Sequence, residues 1–386
     1  MQPVCGRIPD RIPELDGLRG AAILMVVVYH YFENSWVTVP GTWAAGIQAA
    51  IGLGWTGVDL FFVLSGFLIG GILLDARLTK NYFEVFYKRR FFRIIPLYFA
   101  ALVVFPALYV AIQHAGRAND FAWLAGGRQQ VPWLCYLTFT QNFWMANTEK
   151  FGSMMLAITW SLAIEEQFYI TLPFIIRLLT GTQVTKVVRF GIYLAPLIRL
   201  GLGFLFHHNW IALFVLMPCR MDALLLGVLA AIMMRDERQK RWIQSKHVGI
   251  LACALALGMA AFTILTPTPD NPVMQSFGYT LVALFYTSVL VYAVTRTDSV
   301  LSRLLRLKWL GWLGGLAYGV YLIHQTVNGL LFGLVWKREP FIEGGFSLLT
   351  TLAAIVLTLM VAQLSWRYFE APLIKTFRSE YRVSAG

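Results

Sequence analysis

The chain has 386 residues, 58% of them hydrophobic and 13% charged, with mean hydropathy +0.63. A soluble domain of this length does not carry so little charge, and the composition is that of an all-α polytopic membrane protein. A net charge of +12 would suggest nucleic acid in a soluble chain, but here Lys and Arg form short clusters between apolar runs, where they report membrane orientation and contact with lipid headgroups instead.

The opening MQPVCGRIPDRIPELDGLRG lacks the compact basic head, short apolar core and small-residue cleavage site of a signal peptide, so the first helix is expected to be retained. Taking about 20 residues per span predicts about ten helices, at about 21–38, 57–75, 93–113, 156–179, 187–206, 211–234, 248–266, 276–295, 309–334 and 345–368. An even count puts both termini on one side. Loops on that side collect Arg77, Lys80, Lys88, Arg89, Arg90 and Arg93, then Arg235, Arg238, Lys240, Arg241 and Lys246, then Arg296, Arg303, Arg306 and Lys308. The other side holds only Arg117, Arg128, Lys150, Lys337 and Arg338, so both termini are expected in the cytoplasm.

The longest outer segment, 114–155, carries Trp123, Trp133, Phe139, Phe143 and Trp144. Its stretch 133–145 is too short to span, and it reads as an interfacial or re-entrant lid. No internal repeat or long linker is visible. A single domain over 1–386 is expected, closing with a short cytoplasmic tail at 376–386 and without an extra soluble domain. Cys5, Cys135, Cys219 and Cys253 show neither CxxC nor Cys/His ligand spacing, so neither a disulfide framework nor a metal site is expected.

Chemistry must then reside on the apolar helices. In LDGLRGAAILMVVVYHYF, His30 is an ionisable ring inside an apolar run, which is expensive unless used. Arg19 lies eleven residues earlier on nearly the same helical face, roughly 16 Å along the axis. An imidazole titrates near neutral pH and can take a proton from a hydroxyl; a structural bond to a neighbouring helix is the plainer alternative. In KRRFFR, Arg90 and Arg93 share a face and can grip phosphate bidentately, or simply anchor to anionic lipid.

GVDLFFVLSGFLIGG places Asp59 near one end of its helix, as a cap or an arginine partner, while Ser65 reads as one of several small packing residues. In TWSLAIEEQFY, Ser161, Glu165 and Tyr169 step by four along one face, so an apolar span carries a carboxylate with polar neighbours. Such a carboxylate is a natural partner for His30, orienting the imidazole. A structural hydrogen bond between helices is the alternative. In MPCRMDALLLG, Pro218 interrupts the sixth helix beside Arg220 and Asp222, which form a pocket wall or an ion pair elsewhere in the bundle. His324, in YGVYLIHQ, is placed at a depth similar to His30 and either lines the acceptor side or bonds a neighbouring helix.

Taken in order, LDGLRG with Arg19 and His30, GVDLFFVLSGFLI, Arg90 with Arg93, WSLAIEEQFY, RMDALLLG, YGVYLIH and SWRYFEAP with Glu370 and Pro372 resemble the membrane-bound acyltransferase family 3, the ten-helix bacterial integral-membrane enzymes. The likeness runs from residue 14 to about 375. It implies a bacterial inner-membrane O-acyltransferase that moves an acyl group, commonly acetyl, from cytoplasmic acetyl-CoA to a hydroxyl of a glycan, glycolipid or glycoside, with no metal. On that resemblance His30 and Glu165 are the candidate catalytic groups, and Arg19, Arg90 and Arg93 hold the donor. Asp59, Ser161, Tyr169, Arg220, Asp222 and His324 are candidate pocket residues. The alternative is a transporter or flippase for a lipid-linked glycan, since polar residues on apolar helices also mark conduction paths.

Overall fold

The computed structural model describes residues 12–33, 35–39, 41–124, 130–206, 209–244, 246–265 and 268–380. Cys5, Arg128 and the end of the expected tail lie outside these residues. The described chain is helical, with a lone β-bridge between Trp36 and Ile342. Its helices are α1 (Pro13–Val28), α2 (Trp43–Ile51), α3 (Gly57–Ala76), α4 (Tyr82–His114), α5 (Trp133–Leu137), α6 (Gln141–Thr148), α7 (Met154–Ala157), α8 (Thr159–Leu178) and α9 (Gly181–Leu205). They continue as α10 (Trp210–Val215), α11 (Met217–Met233), α12 (Glu237–Ile243), α13 (Lys246–Leu265), α14 (Tyr279–Thr295), α15 (Val300–Leu305), α16 (Lys308–Trp336), α17 (Gly345–Ser365) and α18 (Ala371–Glu380).

Every expected span has a helix at its place. Among the described residues, however, seven helices are long and apolar enough to cross a membrane, or eight if the bent pair α12–α13 counts as one span. The helices α8 and α16 fall outside that set although they run for 20 and 29 residues. Both carry dense polar side chains: Ser161, Glu165, Glu166, Gln167 and Tyr169 on α8, and Tyr318, Tyr321, His324, Gln325, Thr326 and Asn328 on α16. Both helices that depart from plain hydropathy carry candidate site residues, Ser161, Glu165 and Tyr169 on α8 and His324 on α16.

Two compact units can be distinguished. The first comprises Met1–Met25, Thr56–Leu78 and Ile164–Gly315. Its centre is the close approach of α3 and α11, which glycine permits: a Cβ on Gly66 would lie 1.8 Å from the Leu224 carbonyl oxygen, and one on Gly227 2.2 Å from that of Val63. Backbone contact of this kind replaces a hydrophobic driving force that is absent in lipid. The break before α11 falls at Leu216, which is extended (φ −81°, ψ 135°), and Pro218 follows within the first turn of the new helix, where its missing N–H costs nothing. On α9, Phe190, Tyr193, Leu197 and Phe204 are all well exposed, an outward apolar stripe suited to lipid.

The second unit comprises Val26–Trp55, Thr79–Ala163 and Leu316–Gly386. The segment 114–155 folds here into short helices and turns. Arg117 reaches the Gly333 carbonyl, and Ser153 Oγ donates to the Leu124 carbonyl, so the stretch around Trp123 is strapped against α16.

Candidate active site

His30 does not sit in regular helix. At Val28 the α1 hydrogen-bond pattern gives way to a π-helical turn, Tyr29–Glu33, an irregularity frequent at functional sites. Nδ1 of His30 lies 2.9 Å from the Val26 carbonyl oxygen and 3.2 Å from Nε2 of His324, with the ring centroids 4.9 Å apart. Nδ1 of His324 in turn lies 2.6 Å from the Tyr321 carbonyl and 3.2 Å from that of Val320.

Carbonyl oxygens only accept, so in each neutral ring Nδ1 carries the hydrogen and Nε2 the lone pair. His324 Nε2 thereby receives the Nδ1–H of His30. The lone pair on His30 Nε2 makes no hydrogen bond among the described residues. The backbone is held as firmly as the rings: Tyr31 Oη donates to the His324 carbonyl and pairs with Thr358 Oγ1, each at 2.8 Å, and Ser35 Oγ donates to the His30 carbonyl at 3.1 Å.

Beside the imidazole pair lies a cavity of about 80 Å³, lined by His30, Tyr31, Ser35, Trp123, Gln325 and Asn328 among others. Gln325 and Asn328 were not among the expected site residues. Their signal was the spacing Tyr321, His324, Gln325, Asn328, which is one helical face. Ser161, an expected pocket residue, meets the same face, its hydroxyl 2.7 Å from Tyr321 Oη.

The same stretch of α16 also reaches the basic cluster. Tyr318 Oη donates to the Ile94 carbonyl of α4 at 2.8 Å, and a Cβ on Gly319 would stand 3.2 Å from Oε1 of Glu370, whose carboxylate feels the Arg93 charge and accepts from Ser365. From Gly319 to Asn328 is about 13 Å along the axis, with His324 between them. In this unit, then, guanidinium groups lie towards one end of α16 and the cavity towards the other.

The remaining expected residues are organised within the first unit. The Glu165 carboxylate accepts from Ser65 at 2.7 Å and from Tyr169 at 3.1 Å, and Ser65 and Tyr169 are themselves 2.7 Å apart. Ser65, set down from sequence as a packing residue, is thus a polar partner of the α8 carboxylate. The hydrogen-bond partners of the His30 ring are Val26 and His324, so its neighbour in its own unit is a second imidazole. Arg19 pairs with Asp16 at 3.1 Å.

Arg220 and Asp222 do not pair with each other. Arg220 bonds Asp59 at 2.6 Å, while Asp222 takes Arg199 of α9 at 2.9 Å and the Thr280 hydroxyl at 2.6 Å. Two residues apart on a helix, Arg220 and Asp222 point to different sides. All four charged groups are buried, and the Arg220 guanidinium lies over the Tyr279 ring, 4.0 Å from its centroid. Arg199 was visible as a lone charge in an apolar run but carried no expectation. Among the described residues no three His, Cys, Asp or Glu side chains gather as a metal-binding group.

A helical, largely apolar chain with paired imidazoles, His324 buried and His30 half-buried, that leave one basic nitrogen beside a small cavity is of a class equipped for proton or group transfer. The chain belongs to acyltransferase family 3, whose model, described as an acyltransferase domain, matches residues 12–367. It is 25% identical to the O-acetyltransferase OatA of Staphylococcus aureus (strain NCTC 8325 / PS 47), covering 95% of this chain and 58% of that protein. It is 27% identical to the peptidoglycan O-acetyltransferase OatA of Listeria monocytogenes serovar 1/2a, covering 94% of this chain and 56% of that one. The chain therefore spans little more than half the length of these curated relatives. No solved structure matches it.

Proposed function

We propose that this protein transfers an acyl group, acetyl in the first instance, from acetyl-CoA to a hydroxyl of a carbohydrate acceptor, with His30 as the base. The observation that carries this reading is the His30 ring: Nδ1 is committed to Val26 and His324, and Nε2 keeps its lone pair beside a cavity. The acceptor hydroxyl gives its proton to Nε2 as its oxygen attacks the thioester carbonyl. The C–S bond then breaks, and the departing thiolate recovers the proton from the imidazolium. If Nε2 attacks first, the C–S bond breaks, an acyl-imidazolium forms and the thiolate departs; the acceptor oxygen then displaces the ring while its proton passes to the thiolate.

Arg90 and Arg93, with Arg19, are the groups suited to the donor phosphates, since guanidinium forks match phosphate geometry. Glu165, held by Ser65 and Tyr169, is the second candidate catalytic group. Counting α8 and α16 with the apolar helices and the bent α12–α13 pair brings the number to ten, which supports a reading with ten spans; the basic loops support both termini in the cytoplasm, and the relatives support a place in the bacterial inner membrane. The relatives, named as O-acetyltransferases of which one acts on peptidoglycan, support a glycan acceptor, and the family match favours transfer over transport.

The test is His30→Ala in purified protein given labelled acetyl-CoA and a glycan acceptor. Transfer is lost while the melting temperature is kept. An active His30→Ala protein overturns the assignment.

A further inference from the structure

The cavity beside His30 holds a group of polar atoms that the fold itself leaves unused. Trp123 Nε1, Gln325 Oε1 and Asn328 Oδ1 are buried and have no hydrogen-bond partner among the described residues, and all three side chains line the cavity. Asn328 is only 4% exposed. A buried unpaired donor or acceptor costs free energy that natural folds rarely leave uncompensated. Three around one cavity, one donor and two acceptors, call for an occupant.

Its construction supports the same conclusion. Trp123 is seated against α16 only because residue 329 is glycine: a Cβ there would lie 2.4 Å from Cη2 of the indole. The strap formed by Arg117 and Ser153 holds the segment that presents it.

The lining settles what kind of group fits. Among the described residues it contains no Lys or Arg, and its one carboxylate is Glu339, so no described group there neutralises phosphate. The cavity lies along α16 away from the Arg93 end. A hydroxyl, which both donates and accepts, matches two acceptors and one donor around a basic nitrogen.

We propose that this cavity is an acceptor subsite, which takes the uncharged hydroxylated edge of a carbohydrate and holds it by Trp123, Gln325 and Asn328 while one hydroxyl meets Nε2 of His30. This rests on the transfer reading above and adds to it the residues that choose the acceptor.

The experiment uses the full chain, labelled acetyl-CoA, and the β-1,4-linked tetramer of N-acetylglucosamine as the neutral glycan probe. The variants Gln325→Met and Asn328→Leu remove each polar atom and keep its shape. Each is expected to raise the KM for the glycan about tenfold, with the KM for acetyl-CoA within twofold and the melting temperature unchanged or higher, because an unpaired buried polar atom has been removed. An unchanged glycan KM, meaning that the groups hold only water, overturns the subsite. So does a joint rise in both KM values, or a lowered melting temperature accompanied by loss of kcat. Absence of transfer to the probe by the unaltered protein overturns the acceptor reading as a whole. By contrast, a His30→Ala protein that still transfers, together with subsite variants that raise the glycan KM, removes the base and keeps the subsite.

Discussion

Nε2 of His324 faces Nδ1 of His30 at 3.2 Å, and the far nitrogen of His324 is fixed on the Tyr321 carbonyl. On the transfer reading proposed above His324 is a positioning group: together with the Val26 carbonyl it takes the Nδ1–H of His30, which leaves the lone pair on Nε2. Removing a partner that orients a functional imidazole typically costs about 10–100-fold. His324→Phe is expected to lower kcat in that range with both KM values little changed and to displace the pH–rate profile. His324→Gln, whose amide oxygen can accept the same hydrogen, recovers part of the rate. A pH profile identical to that of the unaltered protein would refute the positioning role.

The Asp59–Arg220 pair is buried on both sides. Breaking such a pair by truncating one partner costs about 3–5 kcal/mol, chiefly because the other charge is stranded. Arg220→Met should lower the melting temperature in detergent sharply, and Asp59→Leu added to it should restore most of the loss. If the double variant is no more stable than the single, the pair is not the stabilising unit.

At the α3–α11 crossing, Gly66→Ala forces a methyl against the Leu224 backbone, whereas Gly258 on α13 has nothing within 4 Å of its virtual Cβ. Both changes favour helix by about 1 kcal/mol. The first is expected to abolish folded protein on size exclusion and the second to leave its yield intact. Equal yields would show that the helices can separate at little cost.

Replacing Arg90 and Arg93 together by Gln should raise the KM for acetyl-CoA at least tenfold and leave that of the glycan acceptor alone. Unchanged donor affinity, measured by titration of the inactive His30→Ala protein, returns the two arginines to anchoring lipid or to neutralising Glu370.

Asp236 caps α12 outside the apolar spans. The backbone N–H groups of Gln239 and Arg238 donate to its carboxylate and hold its pKa below the usual carboxylate range. A depressed folded-state pKa means that the cap's contribution is complete above the ordinary carboxylate pKa and disappears as pH falls through the lowered one. Asp236→Asn keeps the cap and removes this acid sensitivity, while Asp236→Ala frays the helix at every pH. Amide exchange at Arg238 and Gln239 distinguishes them.

Helix positions were legible because apolar runs and basic loops leave direct marks in composition. The partners of charged groups were not. Arg220 and Asp222 sit two apart in sequence, yet each is claimed by a residue on another helix, Asp59 and Arg199, and only packing selects such partners. The π turn at Tyr29 was also hidden, since it changes the hydrogen-bond register without altering the apolar pattern. Gln325 and Asn328 lay in plain view beside His324, but single amides on an apolar helix ordinarily bond a neighbour. Their importance comes from having none.

Gly319 and Asn328 belong to one uninterrupted stretch of α16, so no hinge between them can alter the distance from the basic end to the cavity. A carrier must open to each side of the membrane in turn. A protein whose two ends are fixed on one rod needs only to exchange one bond for another at the point between them. On the transfer reading proposed above, the only part of the donor that has to pass the two imidazoles is the acyl group itself.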